Sequence, residues 1–425
     1  MIAQKSGLKK YLRNTLWMFL TYGLRLFTGF FVGLWLARYL GPEQYGIYNY
    51  VISLSTIFIT IATFGTTEIL IKKILESSDR TLEALKAGFN LRLFLSVVLF
   101  ISLGLYAYFF ESNEDIQLYI LVSSFALFFQ PFEVVDSFFG ARVMAQKSSV
   151  GRMSQLILSS IAKIALILNG APLKWFYFIF VFDAFFYACL VLWAYLKENA
   201  NFLRIRSAHG LVKEIIRESF PLMVIALTSL MLARFDLVLI GRILNQKEVG
   251  FYSAASKTIE IGTLFAVLIS LSLYPAILNS KKTNYELYMR RMAMFNRLLV
   301  FGGIALNVMV FLFAKELITL LFGDKYASSV GVIKLLSLNI TFISFYQVSF
   351  RWYLSENLQR LMMFKAIAAV VVNIGLNLLL IPKYGIVGAA LGSVVTSFIF
   401  HFLFEAFFAK TKECFKINTS FLRFS

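Results

Sequence analysis

Residues 15–67 read TLWMFLTYGLRLFTGFFVGLWLARYLGPEQYGIYNYVISLSTIFITIATFGTT, two apolar runs parted by the polar stretch RYLGPEQYG (38–46). Each run has the length, about 20 residues, that one helix needs to cross ~30 Å of hydrocarbon. The pattern continues along the chain. Apolar windows lie at 15–37, 46–67, 88–110, 116–138, 150–170, 175–196, 219–241, 251–275, 293–314, 330–350, 362–381 and 386–408. Hydrophobic residues make up 59% of the chain and charged ones only 15%, a balance that excludes an ordinary soluble domain. The expectation is an all-α polytopic membrane protein of about 12 transmembrane helices.

A net charge of +18 in a soluble chain would point to nucleic acid. Here the placement of the charges gives another cause. The amino-terminal tail (Lys5, Lys9, Lys10, Arg13), the even-numbered connections with their flanks and the carboxy-terminal tail carry 28 Lys or Arg. The odd-numbered connections carry 7. Short loops rich in Lys and Arg stay in the cytoplasm, so both termini are expected inside, as an even number of spans requires. Attraction to anionic membrane lipid adds to the basic face, and no nucleic-acid partner is expected. The apolar run behind Arg13 is too long for a signal-peptide core. Cys189 falls in a span and Cys414 in the tail, so no disulfide framework is indicated.

The connections are too short to house catalysis. The longest, about 197–218, has room for no nucleotide-binding domain, and no GxxxxGK[ST] loop occurs. A membrane glycosyltransferase or polymerase would carry a large outer loop or an acidic metal motif, and neither is present. The chain reads as a non-enzyme with no catalytic set, no metal centre and no cofactor.

Its halves repeat weakly. RYLGPEQYGIY (38–48) and RILNQKEVGFY (242–252) align at an offset of 204, matching Arg38 with Arg242, Leu40 with Leu244, Gly46 with Gly250 and Tyr48 with Tyr252. Both stretches join the first helix of a six-helix half to its second. Halves with an even number of spans enter the membrane in the same sense, which predicts a parallel pseudo-twofold along the membrane normal. The expected organisation is an N-lobe over 1–197 (helices 1–6), an inter-lobe cytoplasmic loop over 198–218, a C-lobe over 219–409 (helices 7–12) and a cytoplasmic tail over 410–425. Rocking of such lobes gives alternating access.

Charge at bilayer depth costs at least ~2.5–3.5 kcal/mol and should face protein or water. Arg25 lies mid-span, with Gly23, Gly29 and Gly33 around it to admit a neighbouring helix. Lys163 lies past the middle of the fifth span. Neither has an opposite charge within a turn, which favours a cavity lining. Arg234, Asp236 and Lys257 reach similar depth, and Lys257 with Glu260 is spaced i,i+3 for pairing. A second reading makes Lys257–Glu260 and Arg234–Asp236 structural ion pairs. Asp183 also belongs to the outer half. Glu68, Arg92, Glu133 and Asp136 lie near cytoplasmic ends, within reach of water, and His401 shares a face with Glu405. The candidate substrate-binding set is therefore Arg25, Lys163, Arg234 and Lys257, and the candidate ion-coupling set is Asp183, Asp236 and Glu260. Such a cationic balance suits an anionic headgroup such as a diphosphate.

ARYLGPEQYGIYNY (37–50) resembles the opening signature of Wzx-type O-antigen and polysaccharide flippases. RFDLVLIG (234–241), GFYSAASKTIE (250–260) and IPKYGIVGAALGS (381–393) resemble that family's later segments. The resemblance implies membership of the polysaccharide transport branch of the multidrug/oligosaccharidyl-lipid/polysaccharide (MOP) exporter superfamily, with its two six-helix lobes. It implies export of polyprenyl-diphosphate-linked oligosaccharide, for lipopolysaccharide O-antigen or a related polysaccharide, across a bacterial cytoplasmic (inner) membrane. It further implies H+ or Na+ as coupling ion and polysaccharide-assembly proteins as partners. The family's cationic cavity maps onto Arg25 and onto Lys257, where family members often carry Arg. A peptidoglycan lipid-precursor flippase and a multidrug antiporter are the alternatives within the superfamily, and a membrane glycan polymerase or ligase is the alternative outside it.

Overall fold

The computed structural model describes residues 2–77, 80–198 and 209–422. Part of the expected inter-lobe loop, 199–208, and the last three residues of the tail lie outside the described residues. Within them the chain is helical, with no strand.

Among the described residues ten helical stretches are long and apolar enough to cross a membrane. Two of them, 64 residues over Arg13–Glu76 and 49 residues over Gln359–Phe407, exceed what one crossing needs, and each breaks at a glycine. Helix α1 (Ile2–Thr63) breaks at Gly41, with φ 71° and ψ 173°. Helix α14 (Gln359–Ser397) breaks at Gly385, with φ 60° and ψ −142°. Positive φ is strained for residues with a Cβ, and Pro42 removes a backbone donor just beyond the first break. With both breaks counted, the stretches supply the twelve spans read from the sequence.

Between them the order is α2 (Thr66–Glu76), α3 (Thr81–Phe110), α4 (Glu114–Ser124), α5 (Val135–Ala141), α6 (Ala145–Leu168), α7 (Lys174–Leu196), α8 (His209–Ile243), α9 (Gln246–Thr283), α10 (Tyr285–Leu312), α11 (Ala314–Phe322), α12 (Ser329–Leu336) and α13 (Leu338–Ser355). After α14 come a π-helical turn over Phe398–Leu403, α15 (Phe404–Phe407) and α16 (Lys412–Asn418). Asn113, Asn245 and Asn284 cap α4, α9 and α10 by accepting from the backbone N–H of Ile116, Glu248 and Leu287 at 3.2, 3.0 and 3.1 Å. Such caps satisfy a donor that the first turn leaves open. Between α4 and α5 the backbone tightens to a 3-10 helix over Phe125–Val134 around Pro131. Its carbonyls take outside donors. Ser96 Oγ donates to Leu127 O at 2.8 Å, and Arg92 Nη1 to Gln130 O at 3.4 Å.

The chain forms two compact units. The first comprises 1–40 and 51–227, the second 41–50 and 228–425. Their boundary falls inside α8, and the turn between the first two spans packs with the second unit. The first unit is centred on Leu70, Leu85, Val134, Phe138, Tyr187 and Tyr195. Lys73 on α2 pairs there with Glu214 and Glu218 on the first arm of α8, at 2.6 and 3.1 Å. The second is centred on Tyr288, Met292, Phe295, Val348, Trp352 and Cys414. Large apolar side chains such as Phe19, Phe94, Tyr108, Leu168 and Val371 are exposed. On a soluble protein such a surface would aggregate, whereas acyl chains solvate it.

Two segments read as connections are folded. Residues 314–322 form α11, which buries Ala314, Ile318 and Phe322 along one face. The tail forms α16, which docks on α10 and α13. Asn296 Nδ2 donates to the carbonyls of Ile417 and Asn418 at 2.9 and 3.2 Å, and Asn418 Nδ2 to Ser349 Oγ at 3.1 Å. Burial pushes the Cys414 thiol well above its ordinary value.

Candidate transport site

In the second unit three helices converge on a carboxylate. Helix α8 presents Asp236, only 4% exposed. From α9 the Tyr252 hydroxyl donates to Asp236 Oδ2 at 2.7 Å, and from α14 Asn377 Nδ2 donates to Oδ1 at 2.7 Å. One turn before it, Asn373 accepts from the same amide at 3.2 Å. Among the described residues no Lys, Arg or His nitrogen lies within 4.0 Å of Asp236. A buried carboxylate held by neutral donors alone is costly while charged. Its surroundings supply oxygens and no cation. Asn377 Oδ1 and, on α13, Asn339 Oδ1 are buried without a hydrogen-bond donor, and Asn339 Nδ2 reaches Ser393 Oγ at 3.4 Å. Gly392 stands against the orphaned amide, where a Cβ would come within 3.0 Å of Asn377 Oδ1. One carboxylate among neutral oxygens is a donor set for a proton or a small monovalent cation.

The other charged candidates of this unit are distributed differently. Arg234 lies two residues before Asp236, on another face of α8, and does not pair with it. It is half-buried, and among the described residues no carboxylate lies within 4.0 Å of it. Lys257 and Glu260 do pair, at 3.2 Å, with side chains 24% and 51% exposed.

In the first unit Arg25 is exposed, again with no carboxylate within 4.0 Å among the described residues. The nearby hydroxyls of Thr21 and Thr28 turn back to their own helix, donating to Trp17 O and Leu24 O at 2.9 and 2.8 Å. Gly23 and Gly29 meet no close neighbour among the described residues. A Cβ placed on Gly23 or Gly29 would meet nothing within 4 Å, so the close helix approach expected at those glycines is not made. Lys163, unpaired along its own helix, meets Asp183 of α7 at 3.5 Å, and Ser159 donates to the same carboxylate at 2.7 Å. That pair balances its own charge and leaves Arg25 as the uncompensated cation among the first unit's candidates.

Arg92 corrects the expectation of nearby water, being 1% exposed. Its Nε and Nη2 donate to Thr66 and Thr67 hydroxyls at 2.8 and 2.9 Å, which with the Gln130 carbonyl replace water. Beside it Arg152 reaches Glu133 and Asp136 at 3.4 and 3.8 Å, and Tyr187 donates to Asp136 at 2.6 Å. Glu405 does not pair with His401. It accepts from Lys365 and Tyr353, while His401 packs on Tyr346 with ring centroids 4.9 Å apart.

Twelve apolar spans define a multi-pass membrane protein, and among the described residues its buried carboxylate Asp236 meets only neutral donors. The chain belongs to the polysaccharide biosynthesis protein family, whose pattern matches residues 11–281. It is similar to the capsular polysaccharide biosynthesis protein CapF of Staphylococcus aureus, 22% identical over 404 residues, which span 91% of this chain and 96% of that one. Its fold is similar to that of the lipid II flippase MurJ in an inward closed conformation, with a TM-score of 0.68, 14% identity and coverage of 97% of this chain and 91% of that one. A multidrug resistance MATE family transporter of the MOP superfamily in its inward-facing conformation gives 0.64, 12%, 95% and 96%. The resemblance read from the sequence motifs and the family agree.

Proposed function

We propose that the protein is a flippase that moves polyprenyl-diphosphate-linked oligosaccharide repeat units from the cytoplasmic to the outer leaflet of a bacterial cytoplasmic membrane, with both termini cytoplasmic. The product feeds a surface polysaccharide such as a capsule or O-antigen, together with polysaccharide-assembly proteins. The observation that carries this reading is Arg25, an exposed guanidinium on a membrane-spanning helix with no carboxylate beside it among the described residues. An unbalanced arginine at that depth is costly unless an anion meets it, and its planar fork matches phosphate oxygens bidentately. Arg234 and Lys257 are the further cations assigned to substrate. Lys163 has a lesser share, because Asp183 already neutralises it.

Coupling is assigned to Asp236 ahead of Asp183 and Glu260. Those two face lysines at 3.5 and 3.2 Å, whereas Asp236 has only neutral donors. Entry of H+ or Na+ there removes an uncompensated buried charge, so occupancy biases the conformations of alternating access. A multidrug antiporter, with a cationic cargo, would leave the open arginine unexplained.

The reading is tested in cells that make their surface polysaccharide by this route. Loss of the protein should leave lipid-linked repeat units inaccessible to a periplasmic glycan-modifying probe. Unchanged labelling of that pool in its absence would remove the assignment.

A further inference from the structure

Arg351, on α13, directly follows the apolar window 330–350, yet it is built into the second unit. Its Nε donates to the hydroxyl of Ser270 on α9 at 2.9 Å, and Ser270 is fully buried. The guanidinium carbon lies 5.0 Å from the ring centroid of Tyr274, also on α9, and 5.4 Å from that of Phe350. Tyr274 in turn donates its hydroxyl to the Arg351 carbonyl at 3.2 Å. One nitrogen and two ring faces therefore fix the direction of the fork.

Its two terminal nitrogens are left open. Among the described residues neither has an acceptor, and no carboxylate lies within 4.0 Å. Two lysines of this unit differ: Lys281 pairs with Glu356 at 2.7 Å, and Lys365 pairs with Glu405. Ring faces favour a cation, but they do not satisfy N–H donors. A half-buried guanidinium with a fixed fork and free donors is a phosphate-binding geometry. Its height is right for a lipid phosphate, because residue 351 directly follows the apolar window 330–350 at the end assigned to the cytoplasm. Leu271 and Leu273, beside Ser270 and Tyr274 on α9, are exposed apolar side chains that suit an acyl or prenyl tail.

We propose that Arg351, seated by Ser270 and held between Tyr274 and Phe350, is a phosphate-binding position within the second unit that captures the diphosphate headgroup of a polyprenyl-linked substrate at the cytoplasmic boundary. This rests on the flippase reading and adds to Arg25 a capture point of its own.

Phenylglyoxal labelling of the purified full-length protein, read by peptide mass spectrometry at Arg351 and Arg25, tests it on the unaltered chain. A polyprenyl diphosphate should slow labelling of Arg351 at least fivefold, with phosphatidylglycerol and inorganic pyrophosphate well behind. Equal protection by phosphatidylglycerol would make Arg351 a general lipid anchor and overturn the proposal. Equal protection by pyrophosphate would make it a site for free diphosphate, against the lipid headgroup claimed here. Protection of Arg25 without Arg351 overturns the inference and leaves the flippase reading standing, whereas protection of neither removes both. An Arg351 that never labels has no open fork, which also overturns it. Arg351→Lys keeps the charge and loses the fork. It should bind the polyprenyl diphosphate about tenfold more weakly while the protein stays folded and inserted, and wild-type binding would contradict the proposal.

Discussion

Gly46 and Gly250, the glycines matched by the internal repeat, face each other's helix starts in a reciprocal crossing. A Cβ on Gly46 would collide with the carbonyl of Gln246 and lie 2.8 Å from the Gly250 nitrogen. A Cβ on Gly250 would collide with the carbonyl of Pro42, 2.7 Å from its carbon. Pro42 and Gln246 are themselves separated by the repeat offset of 204. Each glycine thus receives the carbonyl of the residue four before its counterpart, which is what a local twofold axis through the contact requires. Both belong to the second unit.

Gly250→Ala and Gly46→Ala should each destabilise the protein by about 1–3 kcal/mol, the range for overpacked sites, because the obstructing atoms are backbone and cannot swing away. Gly23→Ala, with open space around it, should leave stability unchanged or slightly raised, since alanine favours a helix interior. Thermal unfolding in detergent compares the three. Equal melting temperatures would mean that the crossing is loose.

The spans were legible because hydrocarbon thickness imposes a length that no other constraint on the chain imitates. The breaks at Gly41 and Gly385 fall in the gaps between paired apolar windows, where glycine stands near proline. Helices α11 and α16 were not legible, since nine and seven residues fall below any span-length signal and fold only on contact with their unit. Among the charges, Lys257–Glu260 was readable from i,i+3 spacing on one helix. Lys163–Asp183 joins two helices, and linear spacing does not see across them. Asp236 stands out by its charge, but its neutral partners Tyr252 and Asn377, with Asn373 behind the latter, do not. Two buried asparagines one turn apart in an apolar span were the available signal. Arg351 was missed because it stands one residue past a window edge.

Lys163 and Asp183 should behave as a coupled pair. Asp183→Asn alone strands the lysine, and Lys163→Met alone strands the carboxylate, so each should cost more than removal of both together. A double-mutant cycle in the unfolding free energy should give a coupling of about 1–2 kcal/mol, within the range for contacting charges. Additive effects would return Lys163 to the set of cations free to meet substrate.

Asp236→Asn keeps an acceptor for Tyr252 or Asn377 and removes the titratable, ion-binding charge. The variant should remain folded and exchange substrate between leaflets at a rate that no longer responds to a proton or sodium gradient. Retained gradient dependence would move coupling to Asp183 or Glu260.

Cys414 gives a pH-dependent readout of the docked tail. Burial raises its folded-state pKa above the ordinary value of 9.0, so the stabilisation is complete below that value and is lost as pH climbs above it, where the undocked thiol ionises first. Maleimide should therefore label Cys414 slowly at pH 7 to 8, and labelling should accelerate above pH 9 as α16 undocks. Asn296→Ala, which removes two hydrogen bonds to α16, should bring fast labelling down to neutral pH. Rapid labelling of the wild type at pH 7 would show that the tail is not held.

Transport of a lipid-linked diphosphate through Arg25 is the step on which the other assignments depend. Its most direct test is leaflet exchange of a polyprenyl-diphosphate oligosaccharide in liposomes bearing the purified protein, with an imposed proton or sodium gradient, for the wild type and Arg25→Ala. The wild type should show gradient-sensitive exchange, and the variant a loss of at least tenfold with insertion and melting temperature unchanged. Exchange by Arg25→Ala at the wild-type rate would contradict it.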